Sequence, residues 1–301
     1  MLRLKRHKGE LMEVAILRAI GKHPQIAHLH AAYEYNIYCT IVTEYVSGGA
    51  LYNRIEKEGS LDEAITVSIV RQVLLGLKHL QDCSVIHRDL KPENLMMVQS
   101  SGYRLKIIDF GLAIFYTGSQ CPPIPAGTLT YIAPETQNCD PQTYTTDLWS
   151  LAVIAYEILA GITPFEIPQE GCRDRTLTNQ EISLNITHCR YDFDDPGIVD
   201  VSKEAKDFIK QILVRDPNKR PSVQQCLNHP WMAMREEDRP PVKRTVSLFR
   251  HSTRRKPKGY CFKPRTIQKG DPQDPVTGSS LKIKSEQSKY FHTVKEKNSI
   301  I

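Results

Sequence analysis

The stretch Val85-Ile86-His87-Arg88-Asp89-Leu90-Lys91-Pro92-Glu93-Asn94 decides the fold of this 301-residue chain. Asp109-Phe110-Gly111 begins fifteen residues after Asn94, and Ala133-Pro134-Glu135 follows further along the chain. A single three-residue string recurs by chance, whereas three linked motifs in this order rarely do. Together they supply carboxylates, a lysine and a carboxamide, which are the groups that position phosphates and bind hard cations.

The composition is that of a folded protein with a sizeable core. With 40% hydrophobic residues, the chain is expected to form one large domain or two small lobes with appendages. Eight cysteines show no paired C-x-x-C spacing, so we expect reduced thiols rather than a zinc site or a disulfide framework. The first residues are too charged for a signal peptide, and the longest apolar stretch, residues 148–162, contains Glu157 and is too short to span a bilayer. We therefore expect a soluble, intracellular protein with no membrane partner.

The net charge of +6 belongs to the end of the chain. Residues 239–301 hold 16 Lys/Arg against 4 Asp/Glu, a net charge of +12, which leaves −6 for residues 1–238. A basic tail is usually a solvated segment, so specific nucleic-acid binding ranks last among the functional hypotheses.

Hydrophobic periodicity predicts the main elements. Residues 10–20 favour a helix with Leu11, Val14, Leu17 and Ile20 on one face, and residues 26–46 favour two strands around Tyr35-Asn36. Ser60-Leu61-Asp62-Glu63 is read as a capping box for a helix that ends just before Asp82-Cys83. Residues 103–107 alternate as a half-buried strand leading to Asp109.

The second half of the chain is predicted to be helical. Residues 148–162 are apolar nearly all round, which is typical of a fully buried helix, and Ser202 can cap a later helix that carries Ala205 and Phe208. After Trp231 the hydrophobic periodicity stops and Pro, Lys, Arg and Ser dominate. We place the domain boundary near residue 235.

The three motifs form the protein-kinase signature set, so the chain resembles a protein kinase. Lys91-Pro92-Glu93-Asn94, and Gly127-Thr128-Leu129-Thr130-Tyr131 before Ala133, resemble the serine/threonine branch. The resemblance implies an α+β, protein-kinase-like two-lobed fold, mainly the α-helical large lobe with a truncated β small lobe. We assign residues 1–46 to the small lobe, 47–235 to the large catalytic lobe and 236–301 to a basic disordered tail.

Finer features resemble the calmodulin-kinase group, and within it the death-associated kinase family with its apoptosis-inducing relatives. The segments that carry this resemblance are Leu4-Lys5-Arg6-His7-Lys8-Gly9, Leu29-His30-Ala31-Ala32-Tyr33-Glu34, Glu181–Ile186, Asp200–Ile209 and Cys226–Trp231. The resemblance implies transfer of the ATP γ-phosphate to Ser or Thr hydroxyls of protein substrates, in a signalling role.

The resemblance also implies catalytic roles. Asp89 is expected to orient the substrate hydroxyl and accept its proton, and Lys91 to reach the γ-phosphate. Asn94 and Asp109 are the expected Mg²⁺ ligands, because both present hard oxygen atoms. Thr128 corresponds to the threonine that hydrogen-bonds the catalytic aspartate and lysine.

A further set of residues is expected to bind ATP. Thr43 falls at the gatekeeper position, and Glu44 to Val46 at the hinge that hydrogen-bonds adenine. Glu13 resembles the helix glutamate that pairs with the ATP-positioning lysine, and its alternative is an ordinary exposed helix charge. The complete expected ATP-binding set is Glu13, Thr43, Glu44, Val46, Glu93, Met96 and Asp109. Glu93 and Glu157 are also candidate contacts for a basic residue near the acceptor, although Ala50 stands where many basophilic relatives carry a glutamate.

One departure from the family pattern precedes Glu13. A complete kinase domain starts with a glycine-rich loop and a strand that carries the ATP-positioning lysine, and neither stands in the printed sequence. Lys5 lies only eight residues before Glu13, too near to substitute. We therefore expect a fragment, an alternative start or a mispredicted gene, with an exposed apolar face on the small lobe. An inactive kinase-like binding scaffold is the alternative function.

Regulatory expectations concern the activation segment and the tail. Ile124 stands where many kinases place a phosphorylated threonine, which argues against activation by phosphorylation there. Val242, Val246 and Phe249 among basic residues leave calmodulin binding open. Arg244 lies three residues before Ser247, a spacing that predicts phosphorylation of Ser247 by the enzyme itself, and Arg254-Arg255-Lys256-Pro257-Lys258 suggests nuclear import as well as a cytoplasmic location.

Overall fold

A helix and a small antiparallel sheet open the structure, a computed structural model that describes residues 6–7, 9–35, 38–118, 127–167, 176–194, 197–233 and 293–298. Strands β1 (Arg6–His7) and β2 (Glu10–Leu11) pair antiparallel and lead into helix α1 (Met12–Ile20). The predicted apolar face of α1 is buried, which confirms this helix. The helix ends at Gly21, whose backbone has a positive φ of 64° and whose N–H donates to the Leu17 carbonyl at 3.2 Å.

Strands β3 (Leu29–Tyr35) and β4 (Tyr38–Thr43) form the predicted strand pair. Their antiparallel register runs from Leu29↔Thr43 to Tyr35↔Tyr38, with one irregularity between Leu29 and Ala31. A third strand, β9 (Thr293–Asn298), lies on the opposite edge of β4. Residues 293–298 fall inside the segment expected to be a disordered tail, 236–301, so this strand was not predicted. The rest of that tail, residues 236–292 and 299–301, lies outside the described residues.

Helices α2 (Leu51–Glu58) and α3 (Glu63–Asp82) follow the sheet. Helix α3 ends at Asp82, one residue later than predicted, and the predicted capping box is wrong. The N-cap is Asp62, whose carboxylate accepts the Ala64 N–H at 3.0 Å. Glu63 instead bonds to distant groups, the Ser202 hydroxyl and, at 2.9 Å, the Trp231 indole N–H. A tertiary contact has therefore taken the carboxylate that a local pattern assigned to the cap.

Four short strands follow α3 and form two antiparallel pairs. Strand β5 (Val85–Ile86) pairs with β8 (Ile114–Phe115), and β6 (Leu95–Met97) pairs with β7 (Leu105–Ile107). The predicted strand at 103–107 is thus confirmed over its last three residues. The two pairs hold the segments on either side of Asp89 and Asp109.

Helix α5 (Tyr144–Ala160) is the centre of the hydrophobic core. Every residue from Thr146 to Leu159 is buried, as the all-round apolar pattern predicted. Thr143 caps its first turn, and Gly161 ends it with a left-handed φ of 75°. Helix α3 packs against α5. Burial of each large aliphatic side chain here contributes about 1.5–3 kcal/mol of transfer free energy.

Four further α-helices are described. They are α4 (Pro134–Gln137), α6 (Asn179–Thr187), α7 (Lys203–Ile212) and α8 (Val223–Leu227). Ser202 caps α7 by accepting the Ala205 N–H at 3.0 Å, as predicted. All described residues belong to one compact unit, and none of the helices among them is long and apolar enough to cross a membrane. The five described cysteines, Cys39, Cys83, Cys139, Cys189 and Cys226, carry free thiols.

Candidate active site

The loop between β5 and β6 is anchored to helix α5 by a buried carboxylate. Asp147, at the start of α5, accepts the backbone N–H groups of His87 and Arg88, each at 2.8 Å. Burial raises the pKa of Asp147, while His87 and the two N–H donors oppose the rise. Because two backbone donors converge on one side chain, the loop has a fixed position relative to the core helix.

Arg88 takes a conformation that non-glycine residues rarely adopt. Its φ is 70°, in the left-handed region, and its buried guanidinium Nε donates to the Gln142 Oε1 at 2.7 Å. Strained backbone of this kind persists where surrounding contacts over-determine it, and it is concentrated at functional sites. Nothing in the sequence pattern identified Gln142 as the partner of Arg88.

The predicted catalytic residues form one hydrogen-bonded network around Asp89. Lys91 Nζ lies 2.9 Å from the Asp89 Oδ2 and 2.9 Å from the Thr128 hydroxyl. The same hydroxyl donates to the Asp89 Oδ1 at 3.4 Å. Asn94 donates its side-chain amide to the Asp89 carbonyl at 2.7 Å and to the Asp89 Oδ2 at 3.2 Å. Asp89 is therefore oriented from three sides.

Gly127 brings the segment with Thr128 close to this network. Its φ is 112°, and a Cβ at this position would lie 2.7 Å from the Ile132 Cγ2 and 2.9 Å from the Arg88 carbonyl oxygen. A side chain therefore has no room there, and the close approach is what allows the Thr128 hydroxyl to reach Asp89.

Asn94 and Asp109 are brought together by the pairing of β6 with β7. Asn94 directly precedes β6, Asp109 follows β7 by two residues, and the Ile108 N–H donates to the Asn94 carbonyl at 2.9 Å. The Asn94 amide nitrogen bonds to Asp89, so the amide oxygen is the atom that it can present to a cation. Asp109 has a positive φ of 63° and is followed by the buried Phe110. Two hard oxygen donors suit Mg²⁺, which keeps waters and takes few protein ligands.

Glu44 lies just after β4, where its side chain has a structural role. Its Oε2 is 2.9 Å from both the Lys106 Nζ and the His28 Nδ1. Burial alone would raise the pKa of Glu44, but the bonds from Lys106 and His28 outweigh it and hold the pKa below its ordinary value. The carboxylate of Glu44 is occupied by these two bonds, which join the end of β4 to β7. If Glu44 binds adenine at the hinge, as predicted, it can therefore do so only through its backbone.

The segment after the hinge is attached to β6. The Gly48 N–H donates to the Met97 carbonyl at 2.9 Å, and the Met97 N–H donates to the Gly49 carbonyl at 2.8 Å. Ala50 forms a bridge with Met96. Val46 is buried. Val46 and Met96, both predicted to contact the nucleotide, therefore lie on adjoining segments.

The remaining predicted ATP-binding residues lie on α1 and β4. Thr43 is the last residue of β4, directly before the hinge. Glu13 is in the first turn of α1 and is only 6% exposed. Burial argues against the alternative reading of Glu13 as an exposed helix charge, because a buried carboxylate requires polar partners.

Two candidate acidic contacts for a substrate differ in their surroundings. Glu157 is buried, and its Oε2 accepts the Tyr131 hydroxyl at 2.7 Å. Burial and the Glu157 carboxylate together raise the pKa of Tyr131 well above its ordinary value. Glu93 has a buried Oε2 without a hydrogen-bond partner among the described residues. Glu93 is thus the carboxylate with unused capacity for a cationic group.

The end of the Ala133-Pro134-Glu135 motif is joined to the last part of the domain. The Glu135 carboxylate makes two bonds of 2.7 Å to the Arg220 guanidinium, and both side chains are buried. The Thr146 hydroxyl donates to the same carboxylate at 2.9 Å. This pair was predicted from the sequence as a structural one. It joins α4 to the segment before α8.

These observations define the class of protein. The family model described as "Protein kinase domain" matches residues 3–232, and the chain belongs to that family. The ordered loop with Asp89, the Asp-Phe-Gly motif after β7 and the Glu135–Arg220 pair are all within the matched residues.

The relatives are kinases of one group. The chain is 37% identical over 220 residues to the protein named death-associated protein kinase dapk-1 of Caenorhabditis elegans, covering 73% of this chain and 15% of that protein. It is 36% identical over 222 residues to human myosin light chain kinase family member 4, covering 73% of this chain and 55% of the relative. For smooth-muscle myosin light chain kinase of Gallus gallus the identity is 36% over 221 residues, covering 73% of this chain and 11% of the relative. The chain thus spans little more than half, or much less, of each of these proteins. The predicted resemblance to the death-associated kinases and their group is confirmed.

Proposed function

We propose that this chain is a serine/threonine protein kinase that transfers the γ-phosphate of ATP to Ser or Thr hydroxyls of protein substrates. The observation that carries the proposal is the network in which Lys91, Thr128 and Asn94 hold the Asp89 carboxylate. Phosphoryl transfer depends mainly on positioning and charge neutralisation, and this network supplies both.

Asp89 acts on the acceptor in this mechanism. Its carboxylate accepts a hydrogen bond from the substrate hydroxyl and takes its proton as the hydroxyl oxygen bonds to the γ-phosphorus. The bond between that phosphorus and the β–γ bridging oxygen breaks, and ADP leaves. Lys91 lies beside Asp89 and stabilises negative charge on the transferred group. Thr128 and Asn94 keep the carboxylate pointed at the acceptor.

The nucleotide is held between the hinge and the Asp-Phe-Gly motif. We assign adenine to the backbone of Glu44–Val46, in contact with Met96. The phosphates are assigned to the part of the site that holds Asn94 and Asp109. When bound there, Mg²⁺ neutralises phosphate charge. The amide oxygen of Asn94 and the carboxylate of Asp109 would hold this ion.

A basic residue near the acceptor is the expected substrate feature. The unpartnered Glu93 Oε2 supports this, because a buried carboxylate oxygen gains most from a cationic donor. Ala50, at the start of α2, offers no charge of its own, so the preference rests on Glu93.

An inactive binding scaffold is the alternative function. A scaffold has no use for a carboxylate oriented by a lysine, a threonine and an asparagine, nor for two hard oxygen ligands beside it. The described residues offer no observation that favours the scaffold over the enzyme.

The proposal is tested with the full chain, Mg-ATP and a serine peptide that carries an arginine three residues before the serine. We expect phosphate transfer by the wild type. Asp109→Asn is expected to weaken Mg-ATP binding at least tenfold and to abolish transfer, because a carboxylate ligand is lost. Asp82→Asn is the matched control, since Asp82 is exposed at the end of α3. Absence of any transfer by the wild type at millimolar Mg-ATP would favour the scaffold.

The location and regulation of the protein are also proposed. An intracellular site, cytoplasmic or nuclear, is supported by the basic run at residues 254–258. Calmodulin control through Val242, Val246 and Phe249, self-phosphorylation at Ser247 and the absence of activation at Ile124 all concern residues outside those described. A reporter fused to residues 239–265 tests import, and exclusion of the reporter from the nucleus would contradict it.

A further inference from the structure

The start of helix α5 holds Arg88, the residue before Asp89, at two points. Asp147, in the first turn of α5, accepts the Arg88 backbone N–H at 2.8 Å. Gln142 directly precedes Thr143, the cap residue of α5, and its Oε1 accepts the Arg88 guanidinium Nε–H at 2.7 Å. The backbone and the side chain of Arg88 are therefore both fixed relative to the core helix.

The amide of Gln142 is buried and uses only its oxygen. Gln142 is 1% exposed, and its Nε2 has no hydrogen-bond partner among the described residues. The guanidinium can only donate, so the amide must turn its oxygen towards Arg88. A buried amide N–H without a partner costs stability, and an apolar side chain would avoid that cost. Stability alone thus gives no reason for an amide at this position, and departures of this kind are typical of functional sites.

The conformation of Arg88 sets the direction of the Asp89 carboxylate. A planar peptide joins the two residues, so a rotation of Arg88 also moves Asp89. The φ of Arg88 is 70°, a left-handed value that a non-glycine residue keeps only where its contacts hold it. The Arg88 carbonyl oxygen would lie 2.9 Å from a Cβ at Gly127, the residue before Thr128. A displaced Arg88 would therefore disturb both Asp89 and the Thr128 hydroxyl that bonds to it.

We propose that Gln142 is a positioning residue for phosphate transfer, because its Oε1 holds the Arg88 guanidinium and thereby keeps the Asp89 carboxylate in one orientation. This inference rests on the proposed kinase function. Gln142 acts through Arg88 and not on the nucleotide, whose proposed contacts are the hinge, Asn94 and Asp109. A misplacement of about 1 Å in a reacting group can lower a rate about 10²-fold. Loss of the Gln142 acceptor should therefore lower kcat and leave the KM for Mg-ATP nearly unchanged.

Steady-state phosphate transfer by the full chain to a serine peptide tests this role. Gln142→Leu removes the acceptor and keeps most of the side-chain volume. We expect its kcat to fall at least about tenfold, with the KM for Mg-ATP within about twofold of the wild-type value. Gln142→Glu keeps an acceptor at the same distance along the side chain, and its kcat is expected to stay within about threefold of the wild-type value. A Leu variant with the wild-type kcat, or a Glu variant as slow as the Leu variant, would overturn the proposal.

Gln137→Leu is the matched control, because it removes a similar amide from another place. The Gln137 Oε1 accepts the Ser183 and Thr187 hydroxyls, each at 3.2 Å, and its Nε2 is also buried without a partner among the described residues. These bonds join α4 to α6 and do not involve the loop with Asp89. We expect Gln137→Leu to lower the urea midpoint of unfolding and to keep kcat within about twofold. An equal fall of kcat in the Gln137 and Gln142 variants would overturn the positioning role.

Amide hydrogen exchange measures the same contact without any need for activity. Asp147 accepts the backbone N–H groups of both His87 and Arg88. Gln142→Leu is expected to raise exchange of these two amides about tenfold, while amides within α5 keep their protection. Unchanged exchange at both amides would overturn the proposal.

A second variant covers the case in which Gln142→Leu does not fold. Gln142→Asn has a side chain shorter by one methylene, so its amide oxygen no longer reaches the guanidinium, and the same changes in kcat and exchange are expected. If the wild type transfers no phosphate, the proposed function and the positioning role both fail. Transfer by the wild type with an unchanged kcat in the Gln142 variants would refute the positioning role alone.

Discussion

At the residue scale, the site depends on a few side chains that hold Asp89 in one orientation. Lys91 bonds to the Oδ2 of Asp89 and the Thr128 hydroxyl to its Oδ1. Asn94 donates to the backbone carbonyl of Asp89. Arg88 on one side has a left-handed φ and a buried bond to Gln142. The positions of the donors around Asp89 are therefore set before any substrate arrives, which is how a site lowers the cost of reorganisation.

The Thr128 hydroxyl is expected to be the sensitive part of this network. Thr128→Val keeps the shape of the side chain but loses the bonds to Lys91 and Asp89, and we expect the rate of transfer to fall about tenfold. Thr128→Ser keeps a hydroxyl and is expected to retain the rate within about threefold. Steady-state rates with a serine peptide make the measurement. A Val variant as active as the Ser variant would show that the hydroxyl does not orient Asp89.

Gly127 is expected to tolerate no side chain. Gly127→Ala would place a Cβ against Ile132 and the Arg88 carbonyl at a positive φ, and we expect a loss of about 2–3 kcal/mol in the free energy of unfolding. Gly118→Ala is the control, because its φ is also positive at 83° but no described atom lies within 4 Å of its Cβ position. The control is expected to lose only about 1 kcal/mol. Equal losses in urea unfolding would contradict a steric role for Gly127.

The sequence predicted the residues that contact Asp89, but it did not predict the residues that hold Arg88 and Glu44 in place. Asp89, Lys91 and Asn94 are close in the chain, so their motif could identify them, and the resemblance added Thr128. Gln142 and Lys106 could not be predicted, because their contacts with Arg88 and Glu44 depend on how distant segments pack. Local patterns carry information about neighbours in sequence, and these pairs are not neighbours.

At the element scale, the start of α3 shows how tertiary contacts override a local pattern. Ser60 and Glu63 have the spacing of a capping box, yet Asp62 caps the helix and Glu63 bonds to Ser202 and Trp231. Strand β9 is a second case. The sequence of β9 contains one apolar residue, Val294, so no hydrophobic pattern predicts a strand there. The segment is a strand because it pairs with β4. By contrast, α1 and α5 were predicted because their apolar patterns are long and periodic.

The two candidate caps of α3 are separated by alanine substitution. We expect Asp62→Ala to lower the free energy of unfolding by about 1 kcal/mol, because the Ala64 N–H loses its acceptor. Ser60→Ala is expected to change it by less than about 0.5 kcal/mol. Urea unfolding midpoints of the two variants give the comparison. A larger loss of stability for Ser60→Ala than for Asp62→Ala would show that Ser60, and not Asp62, caps the helix.

At the scale of the whole molecule, a few polar contacts join parts of the chain around one core. The buried Glu135–Arg220 pair joins α4 to the segment before α8, and Asp147 joins α5 to the loop with Asp89. Glu44 connects β4 to Lys106 of β7. These connections explain why a site assembled from segments between residues 13 and 128 has a single geometry.

The Glu44 connection predicts a pH dependence of stability. The pKa of Glu44 is lowered in the folded protein from its ordinary value of 4.5, so ionised Glu44 stabilises the fold above that value. This contribution is expected to be lost as the pH falls from about 4.5 through the lowered folded-state pKa. Glu44→Gln lacks the contribution at every pH, so the difference in melting temperature between wild type and variant should shrink as the pH falls from 6 towards 3. A difference that stays constant over this range would contradict the ion pair.

The action of Asp89 on the acceptor hydroxyl is measured by single-turnover phosphate transfer from saturating Mg-ATP to a serine peptide. Asp89→Asn keeps the size of the side chain and removes the base. We expect a rate lower by about 10²–10⁴-fold, with Mg-ATP affinity and melting temperature close to those of the wild type. Asp82→Asn, on the surface of α3, should transfer phosphate at the wild-type rate. Transfer by Asp89→Asn within about threefold of the wild-type rate would show that Asp89 is not the group that accepts the proton.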